Sequence, residues 1–405
     1  DMSRWCQWTL GVGVLMLVGC ESFELDAPGS GWVPASAAEA VAAGAPSQDA
    51  PTVFALINNV DLSLLLERKA RREGYRVLSR ERLPGLGVVL LEFAVPRGLD
   101  PARAAAELER LEPHATAAED VLYTLGVAQA RAAAPATMGR HFADEMIGWP
   151  AHGCTSQRRL GMIDSAVDRR APALAGHTIE TRSFVGEVGA SHRSHGTAVA
   201  QTLLGGGRLG GASLHAAVVM DETKPASSAG PRATTLIRAL DWLVQREVEL
   251  INISLAGPYN RALDRAVQAA TSRGVVLVAA VGNEGPASPP RYPAAFPDVI
   301  AVTAVDAAMR AFDGAGVGDH VDFAAPGVDI YVPADGAGRY VTGTSFASPF
   351  VVSIIAGDPR LATLDNAQAL RIALGQSARD LGDPGRDAIF GYGLAALGQP
   401  CAAAR

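Results

Sequence analysis

Residues 250–285 read LINISLAGPYNRALDRAVQAATSRGVVLVAAVGNEG, and their pattern sets the fold class. LINIS and VVLVAAV are short apolar runs without alternation, the habit of strands buried on both faces of a parallel sheet. Between them Leu263, Ala266, Val267 and Ala270 fall on one face of a helix, and Gly274 supplies its stop. The alternation continues outward. LGMI (160–163), LHAAVV (214–219) and VIAVTAV (299–305) read as further buried strands. ATTLIRALDWLVQRE (233–247) reads as a helix with Leu236, Leu240, Leu243 and Val244 on its apolar face. The expectation is an α/β domain over 143–398 with a mostly parallel sheet, whose site should lie beyond the carboxyl ends of the strands.

At 405 residues the chain has room for one such domain plus a smaller one. A composition of 48% hydrophobic and 19% charged residues, with 43 glycines, fits close-packed structure and argues against disorder. The 42 acids outnumber the 35 bases, giving a net charge of −7 and no basic stripe, so nucleic acid is not an expected partner. Short basic pairs such as Arg158–Arg159 and Arg169–Arg170 read as solvated turns. The 4 cysteines are too few for a disulfide scaffold and are not spaced for zinc.

A smaller unit is expected over 52–125. TVFALINN (52–59) reads as a strand and LSLLLERKARREG (62–74) as a helix; YRVLSRERL (75–83) and GVVLLEFAV (87–95) follow as strands. DPARAAAELERLEP (100–113) reads as a helix with Asp100 as N-cap and Pro101 in its first turn, and ATAAEDVLYTL (115–125) as a closing strand. That order is β-α-β-β-α-β, a ferredoxin-like sandwich. An Ala-rich connector spans 126–142.

Residues 3–20, SRWCQWTLGVGVLMLVGC, place one basic residue before a short apolar run, the pattern of a signal peptide over 1–19. The LVGC ending resembles the lipobox of bacterial lipoproteins, which implies lipidation of Cys20, a membrane anchor, and a periplasmic or cell-surface location. Residues 21–50 then read as a flexible tether. With Cys6 leaving in the leader and Cys20 carrying lipid, Cys154 and Cys401 remain in an oxidising compartment and are expected to pair.

Polar clusters stand where the fold rule puts a site. Asp164 follows the strand in LGMIDSAVD (160–168), and His195 opens the helix in SHGTAVAQTLL (194–204). Ser345 lies behind a Gly-Thr turn in GTSFASPFV (343–351), and Asn283 stands just past a strand in VAAVGNEGP (278–286). A serine hydroxyl needs a base to take its proton, and a neutral imidazole suits that task near pH 7. The imidazole needs a carboxylate to fix its tautomer. The oxyanion then needs donors, which the Ser345 N–H and the Asn283 amide can supply.

The order Asp, His, Asn, Ser resembles the subtilisin family and differs from other serine-hydrolase orders. The flanks resemble it too, through IDSAVD (163–168), SHGTAVA (194–200), INISLAGP (251–258), YPAAFPDVIAVTAV (292–305), DFAAPGVDI (322–330) and FGYGLAAL (390–397). The resemblance implies a serine endopeptidase acting on polypeptides, with Asp164, His195 and Ser345 as triad and Asn283 at the oxyanion hole. It implies that 52–125 is a prodomain, an intramolecular inhibitor removed by a cut between Leu125 and about Pro150. The cleft would bind an extended peptide as an added strand. Its walls would be Ser254, Leu255, Ala256 and Gly257 on one side and Ala279, Ala280, Val281 and Gly282 on the other, taking broad, apolar side chains. Ala166 and Ala256 stand where the family has glycine, and PFVVSIIAG (349–357) departs from its usual P-H-V-A-G. LLGGGRLGGAS (203–213) is short and carries no carboxylate, so it offers calcium no motif; no cofactor is required, and a calcium site elsewhere stays open. A catalytically silent peptide-binding scaffold is the alternative. A sedolisin-type acid protease would need a Glu base and an Asp at the oxyanion position, where this chain offers His195 and Asn283.

Overall fold

A computed structural model describes residues 51–125, 129–132, 142–191, 194–224, 230–334 and 338–403. The leader, Cys6, Cys20, the 21–50 tether and most of the 126–142 connector lie outside the described residues.

The N-terminal unit follows the expected element order. Strand β1 (Thr52–Ile57) leads to helix α1 (Val60–Arg72), β2 (Arg76–Leu83), β3 (Val88–Ala94), α2 (Pro101–Leu111) and β4 (Thr116–Glu119). The strands pair antiparallel in the order β2-β3-β1-β4. Asn59 caps α1 by accepting from the N–H groups of Asp61 and Leu62, and Asp100 caps α2 through Arg103 N–H at 3.1 Å. Strand β1 is an unbroken apolar run because both its faces are covered. Val53, Ala55 and Ile57 pack under α1 and α2 with Leu66 and Leu108, while Phe54 and Leu56 join the core of the larger domain.

That domain is built on a seven-stranded sheet, parallel throughout, whose strands lie side by side in the order Phe323–Pro326, Val299–Val305, Val276–Ala280, Leu250–Ile253, Arg159–Ser165, Ser213–Met220 and Thr178–Ser183. Its strands are β8 (Arg159–Ser165), β9 (Thr178–Ser183), β11 (Ser213–Met220), β12 (Leu250–Ile253), β14 (Val276–Ala280), β15 (Val299–Val305) and β16 (Phe323–Pro326). Val276 and Val278 turn toward helices α4 (His195–Leu204) and α7 (Thr344–Gly357). Leu277 and Ala279 turn toward α5 (Ala233–Gln245) and α6 (Arg261–Thr271). Two covered faces leave no polar alternation, as the sequence of these strands suggested. Beyond the sheet, α3 (Phe142–Met146) precedes a small pair, β7 (Cys154–Thr155) with β10 (Leu209–Gly210), and α8 (Ala367–Gly375) follows α7. The described residues contain no helix long and apolar enough to cross a membrane.

Cys154 and Cys401 form a disulfide with Cα atoms 5.4 Å apart, which ties the C-terminal segment to β7. Thr155 supports the same junction, its N–H donating to Ala402 O at 2.8 Å.

The N-terminal sheet rests on α5 and α6, where Phe54, Leu56, Leu83 and Leu90 share one core with Leu236, Leu240, Leu263 and Val267. Arg238 of α5 donates to Glu81 and Glu92 of β2 and β3, each at 2.6 Å. Here the sequence reading needs correction. The pattern of 115–125 predicts a single closing strand, but only Thr116–Glu119 pairs with β1. Asp120 turns away because its carboxylate accepts the N–H and hydroxyl of Thr234 in the first turn of α5, both at 3.0 Å. The residues beyond it find backbone partners in the larger domain.

Candidate active site

Asp164 ends β8 and His195 opens α4, so strand end and helix start bring the two side chains together. His195 Nδ1 lies 2.7 Å from Asp164 Oδ1, and both residues are buried. A carboxylate oxygen accepts, so Nδ1 carries the proton and Nε2 is left as the basic nitrogen. Asp164 Oδ1 also takes the Ser165 N–H at 2.6 Å, which fixes the carboxylate, and Ser165 Oγ in turn accepts the Gly196 N–H at 2.8 Å. Gly196 is required by this approach, since a Cβ there would stand 2.2 Å from the Ser165 carbonyl oxygen. Buried His195 Nε2 has no hydrogen-bond partner among the described residues.

Ser345 lies in the first turn of α7, where backbone N–H groups point outward and the helix dipole favours negative charge. The His195 ring lies against Phe346, with ring centroids 5.1 Å apart, so the imidazole sits beside the residue that follows Ser345. Ser345 Oγ stands 3.4 Å from the Ser254 carbonyl, and Ser254 Oγ donates back to Ser345 O at 3.3 Å. Asn252 Nδ2 donates to that same Ser254 hydroxyl at 2.8 Å. Asn283 Oδ1 accepts from both the N–H and the hydroxyl of Thr344 at 3.0 Å. Its amide oxygen therefore faces Thr344, and Nδ2 faces the other way. The arrangement holds a base, a hydroxyl and two kinds of N–H donor around the start of one helix.

The stretches expected to form the walls take the following positions. Leu255 and Ala256 form the short strand β13, and Ala280 ends β14, with Gly282 following at φ +97°. A Cβ built on Gly282 would stand 3.4 Å from the Ala256 methyl, so the extra carbon of Ala256 narrows the space between the walls.

Three features escaped the sequence reading. The first is a backbone edge at Pro231–Ala233, facing Leu255–Ala256 across the segment 121–125: Tyr123 N–H donates to Pro231 O at 2.8 Å and Ala233 N–H to Val121 O at 3.0 Å. The second is the segment lying against it. Strand β5 (Thr124–Leu125) pairs antiparallel with β13, setting Thr124 opposite Ala256 and Leu125 opposite Leu255. The chain's own residues 121–125 thus lie as an added strand between two edges. Tyr123 is 0% exposed; its hydroxyl donates to Pro258 O at 3.0 Å, and a Cβ on Gly257 would meet its ring at 2.2 Å.

The third is Glu222, just past the carboxyl end of β11, whose two oxygens accept the His195 N–H at 3.0 and 3.2 Å. Only its position at a strand's end could have signalled it. Burial pushes its carboxyl above the ordinary glutamate range, and this outweighs the hydrogen bond from His195 N–H. A folded-state value above the unfolded one means a stabilising contribution that is present below about pH 4.3 and lost as pH rises through the raised value. Glu222→Gln keeps an acceptor for the His195 N–H without the charge. In a Ser345→Ala background it is expected to melt at higher temperature than its parent near neutral pH, with the difference closing in acid. Melts recorded across pH test this; a difference that ignores pH contradicts it.

Among the described residues no group of three or more His, Cys, Asp or Glu side chains is placed to hold a metal.

The subtilase family model matches residues 157–393, a span that contains Asp164, His195, Asn283 and Ser345. The chain is 35% identical over 217 residues to subtilisin NAT of Bacillus subtilis subsp. natto, covering 50% of this chain and 55% of that protein. It is 33% identical over 261 residues to subtilisin DY of Bacillus licheniformis, covering 58% and 88%. Several of the curated relatives are thus matched over about half their length. Among solved structures, fervidolysin from Fervidobacterium pennivorans, a keratinolytic enzyme related to subtilisin, superposes with a TM-score of 0.69 at 20% identity, covering 87% of this chain and 61% of that one. That likeness concerns the fold, a three-layer α/β arrangement. Matched by the family model over more than half its length, the chain belongs to the subtilase family.

Proposed function

We propose that this chain is a serine endopeptidase that hydrolyses polypeptides through an acyl-enzyme. The observation that carries the reading is the buried Asp164–His195 hydrogen bond: it leaves Nε2 as the basic nitrogen, without a hydrogen-bond partner among the described residues, on a ring that lies against Phe346, the residue after Ser345. Ser345 is the nucleophile, His195 its base and then the acid for the leaving amine, and Asp164 the group that orients the imidazole. The Ser345 N–H and Asn283 Nδ2 receive the oxyanion. Substrate enters extended, as an added strand on Leu255–Ala256, with the second edge supplied by Pro231–Ala233.

The N-terminal unit acts as an intramolecular inhibitor. Its sheet is fixed to α5 and α6, and residues 121–125 fill the groove a substrate would need. The Cys154–Cys401 disulfide suits an oxidising compartment, which supports export; lipidation of Cys20 would hold the enzyme at a membrane surface.

Hydrolysis of an unstructured polypeptide, followed by chromatography of the products, tests the activity. No cleavage by protein from which the N-terminal unit has been removed would contradict it. Asn283→Ala is expected to lower kcat by about 10²–10³-fold with little change in KM, because the lost donor acts on charge that develops only in the transition state. An equal rise in KM with kcat preserved would assign Asn283 to substrate binding instead.

A further inference from the structure

We propose that Glu284 and Arg291 form the floor of the pocket between the two walls and select substrates whose residue before the cut carries a carboxamide, as glutamine and asparagine do. The assignment rests on the serine-protease reading above. The sequence of the walls, 254–257 and 279–282, implies an apolar pocket. The fold adds two charged residues from outside those stretches. A Cβ built on Gly282 would stand 2.5 Å from Glu284 Oε2, 3.3 Å from Arg291 Cγ and 3.4 Å from the Ala256 methyl. A carboxylate, an arginine stem and the opposite wall thus surround one point beside Gly282. Arg291 is held there through its neighbour: Gly257 and Tyr292 each donate an N–H to the other's carbonyl at 2.9 Å, fastening Tyr292 to the end of the first wall.

Chain direction decides which substrate side chain meets this floor. Residues 121–125 run along β13 toward Ser254, whose carbonyl oxygen lies 3.4 Å from Ser345 Oγ. On the far side of the nucleophile, strand β6 (Gln129–Ala132) pairs antiparallel with β18 (Arg339–Thr342), whose other edge pairs with β17 (Ile330–Val332). A substrate laid in the same direction has the residue before the cut level with Ser254, between the walls.

The floor lacks an acceptor. Arg291 Nη2 lies 3.2 Å from Glu284 Oε1, so the two charges offset each other. Arg291 Nε is buried and has no hydrogen-bond partner among the described residues. Leaving such a donor unpaired costs free energy that a bound acceptor recovers. The cation also lies near the groove. Burial pushes the Tyr123 hydroxyl above the ordinary tyrosine range, and the charge of Arg291 opposes that rise. A carboxamide answers both members of the pair, its oxygen accepting from Arg291 Nε and its N–H donating to Glu284 Oε2. An apolar side chain of equal length leaves Nε unpaired and strips water from the ion pair. A carboxylate would meet Arg291 but repel Glu284, and an ammonium would do the reverse.

Peptides of one sequence, with glutamine, methionine, glutamate or lysine before the cut bond, test the assignment. The enzyme is expressed as the full chain and freed of its N-terminal unit. The glutamine peptide should exceed each of the others by about 10-fold or more in kcat/KM, methionine being the near-isosteric comparison. A methionine peptide cut as fast as the glutamine one overturns the proposal. Arg291→Met should reverse the glutamine-to-methionine ratio, and Glu284→Gln should raise the glutamate peptide by about 10-fold relative to the glutamine one. Ratios taken within one protein cancel any loss of folded enzyme. Arg291→Lys, which keeps the charge without the Nε–H, should also lose the glutamine preference and serves where the methionine variant fails to fold. A ratio that these Arg291 variants leave unchanged overturns the proposal. Protein whose Ser345 reacts with a phosphonofluoridate but which cuts no glutamine peptide overturns the pocket assignment alone. Protein that neither reacts nor cuts overturns the protease reading beneath it.

Discussion

Ser345→Ala is expected to lower kcat by about 10⁶-fold on any polypeptide substrate while leaving KM within a few-fold of the wild-type value. In the proposed mechanism the hydroxyl makes the bond that defines the acyl-enzyme, and no neighbouring hydroxyl among the described residues is placed to replace it. Ser254 Oγ is committed to Ser345 O and receives the Asn252 amide, and Ser348 lies a helical turn further on. Binding should survive because the groove is formed by backbone edges at Leu255–Ala256 and Pro231–Ala233 that the substitution leaves intact. The residual rate should still exceed the uncatalysed one, through the helix N-terminus and Asn283 acting on the oxyanion of a water-driven reaction. Steady-state kinetics on freshly purified protein, with active sites counted by titration in the wild type, check this. A loss of less than about 10²-fold would show that another nucleophile carries the reaction.

Asp164→Asn should cost about 10⁴-fold in kcat, again with KM nearly unchanged. The carboxylate accepts from His195 Nδ1 at 2.7 Å and from Ser165 N–H at 2.6 Å through the same oxygen, Oδ1. An asparagine with its oxygen in that place keeps both contacts but carries no charge to stabilise the imidazolium, and one with its amide nitrogen there turns an N–H toward the imidazole. The ring would then hold its proton on Nε2 and could not accept the one from Ser345. Size and shape change little, so the melting temperature should shift by only a few degrees. A large kinetic loss with a preserved fold would mark Asp164 as the orienting group. A collapse of stability that parallels the loss would make its role structural.

Much of this site was legible because each of its polar residues ends a strand or begins a helix within a short contiguous motif. Asp164 behind LGMI, Asn283 behind VVLVAAV and Ser345 behind a Gly-Thr turn needed only strand recognition to be placed at one edge of the sheet. The sheet itself could be read because strands covered on both faces lose their alternation, as Val276–Ala280 shows. Leu122–Leu125 could not be read correctly, since the stretch is equally competent to extend β4 or to pair elsewhere. What decides is Asp120, drawn to the α5 N-terminus 114 residues away, and a pocket for Tyr123 at Gly257. Glu222 was illegible for the same reason: its partner, the His195 N–H, is 27 residues distant. The Cys154–Cys401 pair, 247 residues apart, offers no spacing signal and follows only from assigning Cys6 to the leader and Cys20 to lipidation.

The nucleophile is tested most directly by exposing protein released from its N-terminal unit to a phosphonofluoridate, then mapping the adduct by peptide mass spectrometry. A single adduct on Ser345 is expected, forming in the folded wild type, strongly slowed in Asp164→Asn and absent after unfolding. No adduct on the folded, released protein, or one that falls on a different serine, would contradict it.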